Sequence, residues 1–309
     1  MKIIELKKLS FRYSGEDKEV LSDIDLAIEE GDFYVICGAS GSGKSTLLRQ
    51  LKTSLQPVGQ RSGRILYYGR DLEEGSQYTQ SAKIGFVFQN PDTQIVTDKV
   101  WHELAFGLES IGMPQDMIRV RVAEMASYFG IQNWFYQSTD TLSGGQKQLL
   151  NLASVMVLQP KVLILDEPTS QLDPIAASDF LATLGKINRE LGTTILLTEH
   201  RLEEAFSFAS RVAVMDKGTL LCTGTPADVG AELKASGNAM FLAMPAAMRI
   251  WAASDSKATC PISVCDGRNW LLDYVKTHEL HPISEETKNT PNGETVVSAQ
   301  ELWFKYDKD

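Results

Sequence analysis

A glycine-rich segment between two apolar runs constrains the fold of this chain more than any other feature of the sequence. Its nine residues are Gly38, Ala39, Ser40, Gly41, Ser42, Gly43, Lys44, Ser45 and Thr46. The apolar run 33–37 precedes the segment and the run 47–51 follows it, which is the strand, loop and helix order of loops that bind nucleotide phosphates. This context argues against a chance match in a glycine-rich loop.

The chemistry of the segment predicts how it would bind a nucleoside triphosphate. Glycines allow backbone N–H groups to surround a polyphosphate, and the following helix directs its positive end towards the same anion. Lys44 is expected to reach the β- and γ-phosphates, and the hydroxyl of Ser45 is expected to hold Mg²⁺. All nine residues are therefore predicted to form the nucleotide site.

The charge balance restricts the partners that the chain can have. Forty acidic residues against 30 basic ones give a formal net charge of −10, and the sequence contains no cluster of Lys and Arg. This argues against binding to nucleic acid or to an anionic membrane surface. The most apolar later stretch, 240–253, is interrupted by Pro245 and Arg249 and is too short to cross a bilayer. With no signal peptide at Met1, we expect a cytoplasmic protein whose membrane role comes through a partner.

The four cysteines predict neither disulfides nor a metal site. Cys37, Cys222, Cys260 and Cys265 are too few and too scattered for a disulfide framework. Cys260 and Cys265 lie close together, but no second pair of Cys or His residues follows them to complete a zinc site. We interpret all four as small buried thiols.

The order of predicted elements indicates an α/β fold. Alternating apolar residues predict strands within the first thirty residues, and apolar runs predict further strands at 84–88, 162–165 and 194–198. The polar segment 57–63 is interpreted as a loop. Residues 93–158 have a helical period and are interpreted as a helical insert within the α/β domain.

One predicted helix of the insert is specified in more detail. It opens at Pro114 and stops before Gly130. Its apolar face is predicted to include Met117, Val120 and Met125.

The character of the sequence changes after about residue 229. Segments 227–242, 245–253 and 266–276 are predicted helices, and the stretch 281–294 is rich in Pro, Asn, Thr and Glu. We expect residues 1–229 to form the main domain and residues 230–294 to form a helical connector and linker.

A short repeat occurs near residue 302. The residues 302–306 repeat the pattern of 9–13, including the two aromatic residues and the basic residue between them. A chance aromatic strand is the alternative. We interpret 295–309 as the start of a second, truncated copy of the domain.

Two adjacent carboxylates follow a buried strand. Asp166 and Glu167 come directly after the apolar run 162–165, and the carboxyl ends of such strands meet at the edge that carries the phosphate-binding loop. Asp166 is expected to support Mg²⁺ through its water shell, and Glu167 is expected to polarise the attacking water. Surface acids placed for solubility are a poor alternative, because a wholly apolar run precedes them.

Three further signals are weak when each is taken alone. The sequence Leu-Ser-Gly-Gly-Gln at 142–146 opens a helix with free N–H groups and is a second candidate anion site. Gln89 and His200 each follow a predicted strand. A glycine turn and two polar loop residues would explain each of them equally well.

Taken together, these motifs resemble those of the ATP-binding-cassette (ABC) ATPases over residues 1–229. The order along the chain is the phosphate-binding loop, Gln89, 142–146, Asp166 with Glu167, 170–173, and His200. The resemblance implies a P-loop fold with a RecA-like core sheet, an antiparallel β subdomain and an α-helical subdomain. It also implies that the chain binds ATP and Mg²⁺ and hydrolyses ATP.

The resemblance further implies roles for individual residues. Tyr13 would stack on adenine, and Gln89 would sense Mg²⁺ and the attacking water. Glu167 would be the general base, and His200 would contact the γ-phosphate. Lys44 is counted with these residues and Gln89 among the catalytic groups. Ser45, Gln89 and Asp166 would then form the magnesium site.

In the ABC family two cassettes pair head to tail, which implies a composite site. Ser143 and Gly145 would contact the γ-phosphate bound to the opposite cassette, and Asp173 would bridge the two cassettes. Two residues depart from the family pattern: Leu149 stands where Arg is usual and Gln171 where a small residue is usual. These departures concern the coupling between cassettes and not ATP binding.

The segments 89–96 and 101–109 resemble the ATPases of energy-coupling-factor importers, which take up vitamins or transition-metal ions. The implied partners are a second cassette, a transmembrane coupling subunit and a membrane substrate-binding subunit, with no nucleic acid. The second cassette would be the missing C-terminal half or a second copy of the chain. A conventional ABC importer and a soluble ABC ATPase acting on ribosomes or DNA remain the alternatives.

Overall fold

Two β-sheets form the framework of the computed structural model, which describes residues 1–76, 78–278 and 298–303. The described strands are β1 (Lys2–Tyr13), β2 (Leu21–Glu29), β3 (Phe33–Gly38), β4 (Gly59–Tyr67), β5 (Arg70–Asp71), β6 (Ile84–Val87), β7 (Val162–Asp166), β8 (Thr194–Thr198), β9 (Arg211–Asp216) and β10 (Thr219–Gly224). The described helices are α1 (Lys44–Gln50), α2 (Val100–Ser110), α3 (Gln115–Tyr128), α4 (Gly144–Met156), α5 (Pro174–Leu191), α6 (Leu202–Phe208), α7 (Pro226–Ser236), α8 (Ala246–Ala252) and α9 (Val264–Tyr274). This is the α/β architecture expected from the sequence.

The larger sheet carries the phosphate-binding loop. Its strand order is β10-β9-β3-β8-β7-β6, and all neighbours are parallel except β9 and β10, which form a hairpin. Alternate residues of β7 belong to two different apolar cores: Leu163 and Leu165 pack with the helices, whereas Val162 and Ile164 pack with the smaller sheet and α1. A strand covered on both faces needs such a continuous apolar run.

The smaller sheet is antiparallel, with the order β2-β1-β4-β5. The prediction that 57–63 is a loop was wrong for its second part, since β4 begins at Gly59 and that residue pairs with Tyr13 of β1. The segment lacks an apolar period because most of its side chains are exposed. Its backbone is held by the ladder to β1 instead.

The helical insert consists of α2, α3 and α4. Part of the predicted apolar face of α3 was wrong: Met117 and Val120 are exposed, whereas Met125 is buried together with Ile118 and Val122. Both sets of residues follow a helical spacing. The side that packs on α2 and α4 decides which of them is buried.

Helix α5 begins and ends where its sequence signals predict. The carboxylate oxygen Oδ1 of Asp173 accepts hydrogen bonds from the backbone N–H groups of Ile175 and Ala176, each at 2.9 Å. Pro174 takes the first helical position, and Gly192 ends the helix with a φ of 66°. A left-handed residue at this position favours glycine.

The C-terminal helices pack on the main domain. The predicted helix 227–242 was too long, because α7 ends at Ser236 and Gly237 adopts a φ of 61°. Met248 and Trp251 of α8 are buried and belong to the core that also contains the helix-facing side of the larger sheet. The indole Nε1 of Trp251 donates to the carbonyl of Ala258 at 3.1 Å. The first part of the predicted connector is therefore continuous with the core.

The rest of the predicted C-terminal organisation stays a prediction. The linker 281–294 and the aromatic repeat at Phe304 and Tyr306 lie outside the described residues. Leu302 and Trp303 are described and are largely exposed. We retain the division into 1–229, 230–294 and 295–309 as a proposal.

Substitution of Trp251 tests whether α8 folds as one unit with the main domain. Trp251→Ala is expected to lower the free energy of unfolding by about 3–5 kcal/mol, because it leaves a large cavity in the core. Thermal unfolding followed by circular dichroism measures the change. Leu272→Ala on α9 is the control, since Leu272 is 52% exposed, and is expected to change stability by less than about 0.5 kcal/mol. A second, separate transition in the Trp251 variant would show that the connector folds independently.

Candidate nucleotide-binding site

The candidate site lies where the carboxyl ends of four parallel strands meet. The segments that follow β3, β6, β7 and β8 carry Lys44, Gln89, Glu167 and His200, in that order, with Lys44 as the first residue of α1. The edge beyond the carboxyl ends of parallel strands is where α/β proteins bind their ligands. Four segments that are distant in the sequence are thus brought to one edge of the sheet.

The loop after β3 passes very close to neighbouring backbone. A Cβ atom at Gly38 would clash with the carbonyl oxygen of Met215, and one at Gly43 would lie 2.9 Å from the carbonyl oxygen of Val20. Gly43 also has a φ of 99° immediately before α1. These two glycines are required by geometry, since a side chain fits at neither position.

Lys44 and Ser42 are two of the polar side chains that are buried in the segment 38–46. Lys44 is 4% exposed, and its Nζ donates to the carbonyl oxygens of Gly38 at 3.0 Å and Ala39 at 3.1 Å. Ser42 is 3% exposed, and its hydroxyl has no hydrogen-bond partner among the described residues. A buried hydroxyl without a partner is costly. A phosphate oxygen in the loop would satisfy it, so the loop fits a polyphosphate.

A hydroxyl and a carboxylate face each other beside the loop. The Oγ of Ser45 donates to Oδ1 of Asp166 at 2.8 Å, and the Oγ1 of Thr198 donates to the same oxygen at 3.0 Å. Mg²⁺ prefers oxygen donors and commonly uses one or two protein ligands together with substrate phosphates. Within the described part of the chain, no group of three or more His, Cys, Asp or Glu side chains could hold a metal ion by itself. The pair therefore fits a cation that is shared with a nucleotide.

Glu167 is held at both carboxylate oxygens. The Nε2 of His200 lies 2.8 Å from Oε1, and the Nε2 of Gln89 donates to Oε2 at 3.2 Å. Glu167 also adopts a φ of 45°, a strained conformation that is maintained by two hydrogen bonds from its N–H group to Thr198. The structure thus brings together Glu167, Gln89 and His200, which the sequence analysis grouped only through a family resemblance.

The loop that carries Gln89 is fixed by two other glutamines. Gln94 accepts from the N–H group of Phe88 at 3.0 Å and donates to the carbonyl of Phe86 at 3.2 Å. Gln148 of α4 is fully buried and donates to the carbonyls of Phe88 and Pro168, at 3.2 and 3.0 Å. These contacts have no signal in the sequence, because their partners lie up to 60 residues away and follow no local pattern.

Tyr13 lies beside the phosphate-binding loop. Its hydroxyl is 3.0 Å from Oγ1 of Thr46, and its ring packs edge-on against Phe11 with the centroids 5.1 Å apart. The side chain is half-buried. A partly exposed aromatic ring next to the loop is available to a nucleotide base.

Ser143, Gly145 and Asp173 lie apart from this network. The Oγ of Ser143 accepts from the N–H group of Gln146 at 3.3 Å and so caps α4, and Asp173 caps α5. Gly145 lies near α5, because a Cβ there would be 3.4 Å from the side chain of Ala176. Among the described residues, no hydrogen bond joins these three residues to the loop or to Glu167. Ser143 and Asp173 are exposed.

The cysteines take no part in the site. Cys37, Cys222 and Cys260 are buried as expected, but Cys265 is exposed, so that part of the prediction was wrong. Cys265 lies on α9, a helix without buried residues. Burial raises the pKa of Cys37 to about 12, which keeps this thiol neutral and unreactive next to Gly38.

Sequence comparisons place the chain among known proteins. Residues 21–170 match the family model described as ABC transporter. A putative ABC transporter ATP-binding protein of Bacillus anthracis is 43% identical over 307 residues, which cover 99% of this chain and 54% of the relative. The chain thus spans about half the length of that relative. The energy-coupling factor transporter ATP-binding protein EcfA1 of Symbiobacterium thermophilum is 40% identical over 232 residues, which cover 72% of this chain and 79% of the relative.

Solved structures have the same fold. One of them is cbiO1 from Clostridium perfringens, part of the ABC transporter complex cbiONQ. It superposes with a TM-score of 0.68 at 34% sequence identity, and the match covers 77% of this chain and 94% of that one. The ATP-binding cassette MJ0796, bound to ADP and phosphate, gives a TM-score of 0.61 at 24% identity and covers 72% and 98% of the two chains. At that identity the second likeness shows the fold alone.

Proposed function

The chain belongs to the ABC transporter family of ATPases, and from this we propose that it binds Mg-ATP and drives a membrane importer of the energy-coupling-factor type. The observation that carries the proposal is the position of Glu167, held by Gln89 and His200 on the sheet edge where Lys44 and Ser45 follow β3. A carboxylate held in this way next to a phosphate-binding loop supports the role of general base that we propose for Glu167. Vitamins or transition-metal ions are the proposed cargo.

Nucleotide binding follows from the groups around the loop. The N–H groups of residues 38–46 and the ammonium of Lys44 bind the phosphates, and Lys44 exchanges its carbonyl partners for phosphate oxygens. Tyr13 stacks on the adenine base. Ser45, Asp166 and Gln89 would hold Mg²⁺, which would supply positive charge to neutralise the phosphates.

Hydrolysis needs a base aimed at a water molecule in line with the γ-phosphate. Glu167 accepts a proton from that water as the water attacks phosphorus. Gln89 and His200 each occupy one oxygen of Glu167, and the bond to His200 is released when the water binds. His200 is then free to donate to the γ-phosphate.

We propose that a second cassette completes each site. Ser143 and Asp173 are exposed and lie outside the network around Glu167, although Ser143 opens a helix whose N-terminus suits an anion. Ser143 and Gly145 would contact the γ-phosphate of the opposite cassette, and Asp173 would bridge the pair. The second cassette is another part of a longer protein or a second copy of this chain. Binding of ATP closes the pair, and hydrolysis reopens it.

Exposed apolar side chains, two of them in the segment that follows Gln89, support a membrane partner. Val96 and Tyr136 are 63% and 79% exposed, and Trp101 is 41% exposed. The N–H group of Trp101 donates to the carbonyl of Phe135, the residue before Tyr136, at 3.1 Å. Exposed apolar groups of this kind mark interaction sites, and we propose that a helix of the transmembrane coupling subunit docks there.

The proposed location follows from the partners. No helix in the described ranges is long and apolar enough to cross a membrane. We propose a cytoplasmic protein held at the inner face of the cell membrane by the coupling subunit and the substrate-binding subunit. The net charge of −10 disfavours the alternative of an ABC ATPase acting on ribosomes or DNA.

Affinity purification from gently solubilised native membranes, followed by mass spectrometry, tests this proposal. A small multi-spanning protein and one transmembrane coupling subunit are expected. Two conventional permeases would retain the transport role and overturn the importer type. Recovery of ribosomes or nucleic acid without any membrane protein would overturn the transport role.

The variant Trp101→Glu is expected to lose the membrane partners in the same purification and to keep ATP binding.

Tyr13 gives a direct test of base stacking. Tyr13→Ala is expected to weaken ATP binding by about 1–3 kcal/mol, the usual contribution of one base–aromatic contact. Tyr13→Phe is the matched control, since it keeps the ring and loses only the contact with Thr46. Isothermal titration calorimetry measures both dissociation constants. Equal affinities for the wild type and the alanine variant would contradict the stacking role.

A further inference from the structure

A buried carboxylate lies immediately before His200. Glu199 is 3% exposed, although a Glu side chain is rarely buried unless it is fully partnered. It has no role in the binding or hydrolysis steps proposed for the site. A buried acid at this position therefore calls for a structural reason.

The hydrogen bonds of Glu199 join two loops. Its Oε1 accepts from the N–H groups of His200 at 2.7 Å and Arg201 at 3.0 Å. Its Oε2 accepts from the hydroxyl of Thr169 at 2.6 Å, and Thr169 is fully buried. Thr169 lies two residues after Glu167. The carboxylate thus connects the loop of His200 to the loop of Glu167.

A second contact joins the same two loops. The guanidinium Nη2 of Arg201 donates to the carbonyl of Leu172 at 3.2 Å, directly before Asp173. The two loops consequently share a contact at each end. Movement of one loop should carry the other with it.

The imidazole of His200 needs such support. Its side chain is 52% exposed, so packing does not fix its direction. Its Nε2 nevertheless lies 2.8 Å from Oε1 of Glu167. The backbone at 199–201 therefore determines where the ring lies, and Glu199 holds two of the N–H groups of that backbone.

We propose that Glu199 is a positioning residue that sets the imidazole of His200 against Glu167 and the γ-phosphate, with Thr169 as its anchor on the opposite loop. The inference rests on the proposed role of His200 in ATP hydrolysis. Both oxygens of Glu199 are already engaged and buried, so Glu199 does not itself act on the attacking water. A displacement of about 1 Å at a reacting group can cost about 100-fold in rate.

Substitution of Glu199 gives the main test. Glu199→Ala removes the acceptor and is expected to lower kcat for ATP hydrolysis by about 10–100-fold while KM for ATP changes less than about 3-fold. Glu199→Gln is the matched conservative variant. Its amide oxygen still accepts from both N–H groups and its NH₂ group donates to the Thr169 hydroxyl, so kcat is expected to stay within about 3-fold of wild type.

A double substitution separates positioning from general damage to the fold. Because Glu199 acts through His200, Glu199→Ala is expected to lower kcat no further when His200→Ala is already present. Steady-state kinetics on the intact purified protein measure each variant, and melting temperatures monitor folding. If Glu199→Ala does not fold, Thr169→Val takes its place, because it removes the anchor and keeps the shape of the side chain.

The outcomes distinguish this inference from the proposed function. Wild-type turnover in His200→Ala would overturn the role of His200, and the positioning role with it. A slow His200→Ala variant with an unaffected Glu199→Ala variant would overturn the positioning role alone. A double variant whose kcat falls well below that of His200→Ala would also overturn the positioning role. So would a Glu199→Gln variant as slow as Glu199→Ala.

Discussion

Glu167→Gln is expected to bind ATP with wild-type affinity and to hydrolyse it about 10²–10⁴-fold more slowly. The substitution keeps the size of the side chain, whose oxygens lie 3.2 Å from Nε2 of Gln89 and 2.8 Å from Nε2 of His200. The new amide oxygen still accepts from His200, and Gln89 can turn its own amide oxygen towards the new NH₂ group. It removes only the ability to take a proton from water. Release of phosphate at saturating ATP measures turnover, and nucleotide titration measures affinity.

The matched control for this variant is Glu190→Gln. Glu190 lies in the last turn of α5, where it pairs with Tyr128 and Lys186. Its substitution changes the net charge equally and is expected to leave turnover within about 2-fold, since exposed ion pairs contribute little. A Glu167→Gln protein with near-normal turnover would show that another group is the base. Loss of ATP binding in that protein would point to a structural role instead.

The site could be predicted from the sequence where the chemistry is local. The phosphate-binding loop is a continuous segment, and Asp166 with Glu167 follows an apolar run that had to be a buried strand. The positive φ of Glu167 has no comparable signal. Its strain is supported by Thr198 from the next strand, which is a tertiary effect.

The contacts that hold the site in place could not be predicted. Glu199, Gln94 and Gln148 act through hydrogen bonds to groups that are near in space, and Glu199 and Gln148 find some of their partners 20 to 60 residues away in the sequence. No spacing rule identifies such residues. A buried polar side chain next to a recognised motif residue is the signal that could have found Glu199, but burial is visible only in the structure.

The fold was predictable to a similar extent. Alternation and apolar runs located most strands, because most strands are covered on at least one face. The first half of β4 was missed, since Gly59 to Gly63 pairs with β1 through backbone and exposes its side chains. On α3 two apolar stripes compete, and only the packing of neighbouring helices decides that Ile118 is buried and Met117 is not.

Two inactive variants of the 309-residue chain are expected to restore activity to each other when mixed. Lys44→Met removes the ammonium that is buried beside the phosphate-binding loop and is expected to weaken ATP binding by about 10–150-fold, the loss of one or two charge-assisted hydrogen bonds. At ATP concentrations near the wild-type dissociation constant, its sites therefore stay largely empty and the variant is inactive. Ser143→Arg fills the space at the N-terminus of α4 and is expected to abolish turnover while ATP binding by the single chain stays unchanged.

Ser143→Arg also removes a helix cap, and Ser263→Ala controls for that loss. Ser263 caps α9 with the same pattern of reciprocal hydrogen bonds that Ser143 forms on α4. Removing such a cap costs about 1 kcal/mol. The control variant is therefore expected to lose stability and to keep its turnover.

The expected rescue follows from the symmetry of a head-to-tail pair. In an equal mixture half of the pairs contain one chain of each kind, and each mixed pair has one site with both lesions and one site with none. Turnover should recover to about a quarter of the wild-type value, and should fall with dilution as pairs separate. If each chain contains a complete site, the mixture would show only the summed turnover of two inactive proteins. Turnover per chain of the wild type would then not depend on protein concentration. The mixing experiment thus decides whether Ser143 acts on the nucleotide of its own chain or on that of the opposite cassette.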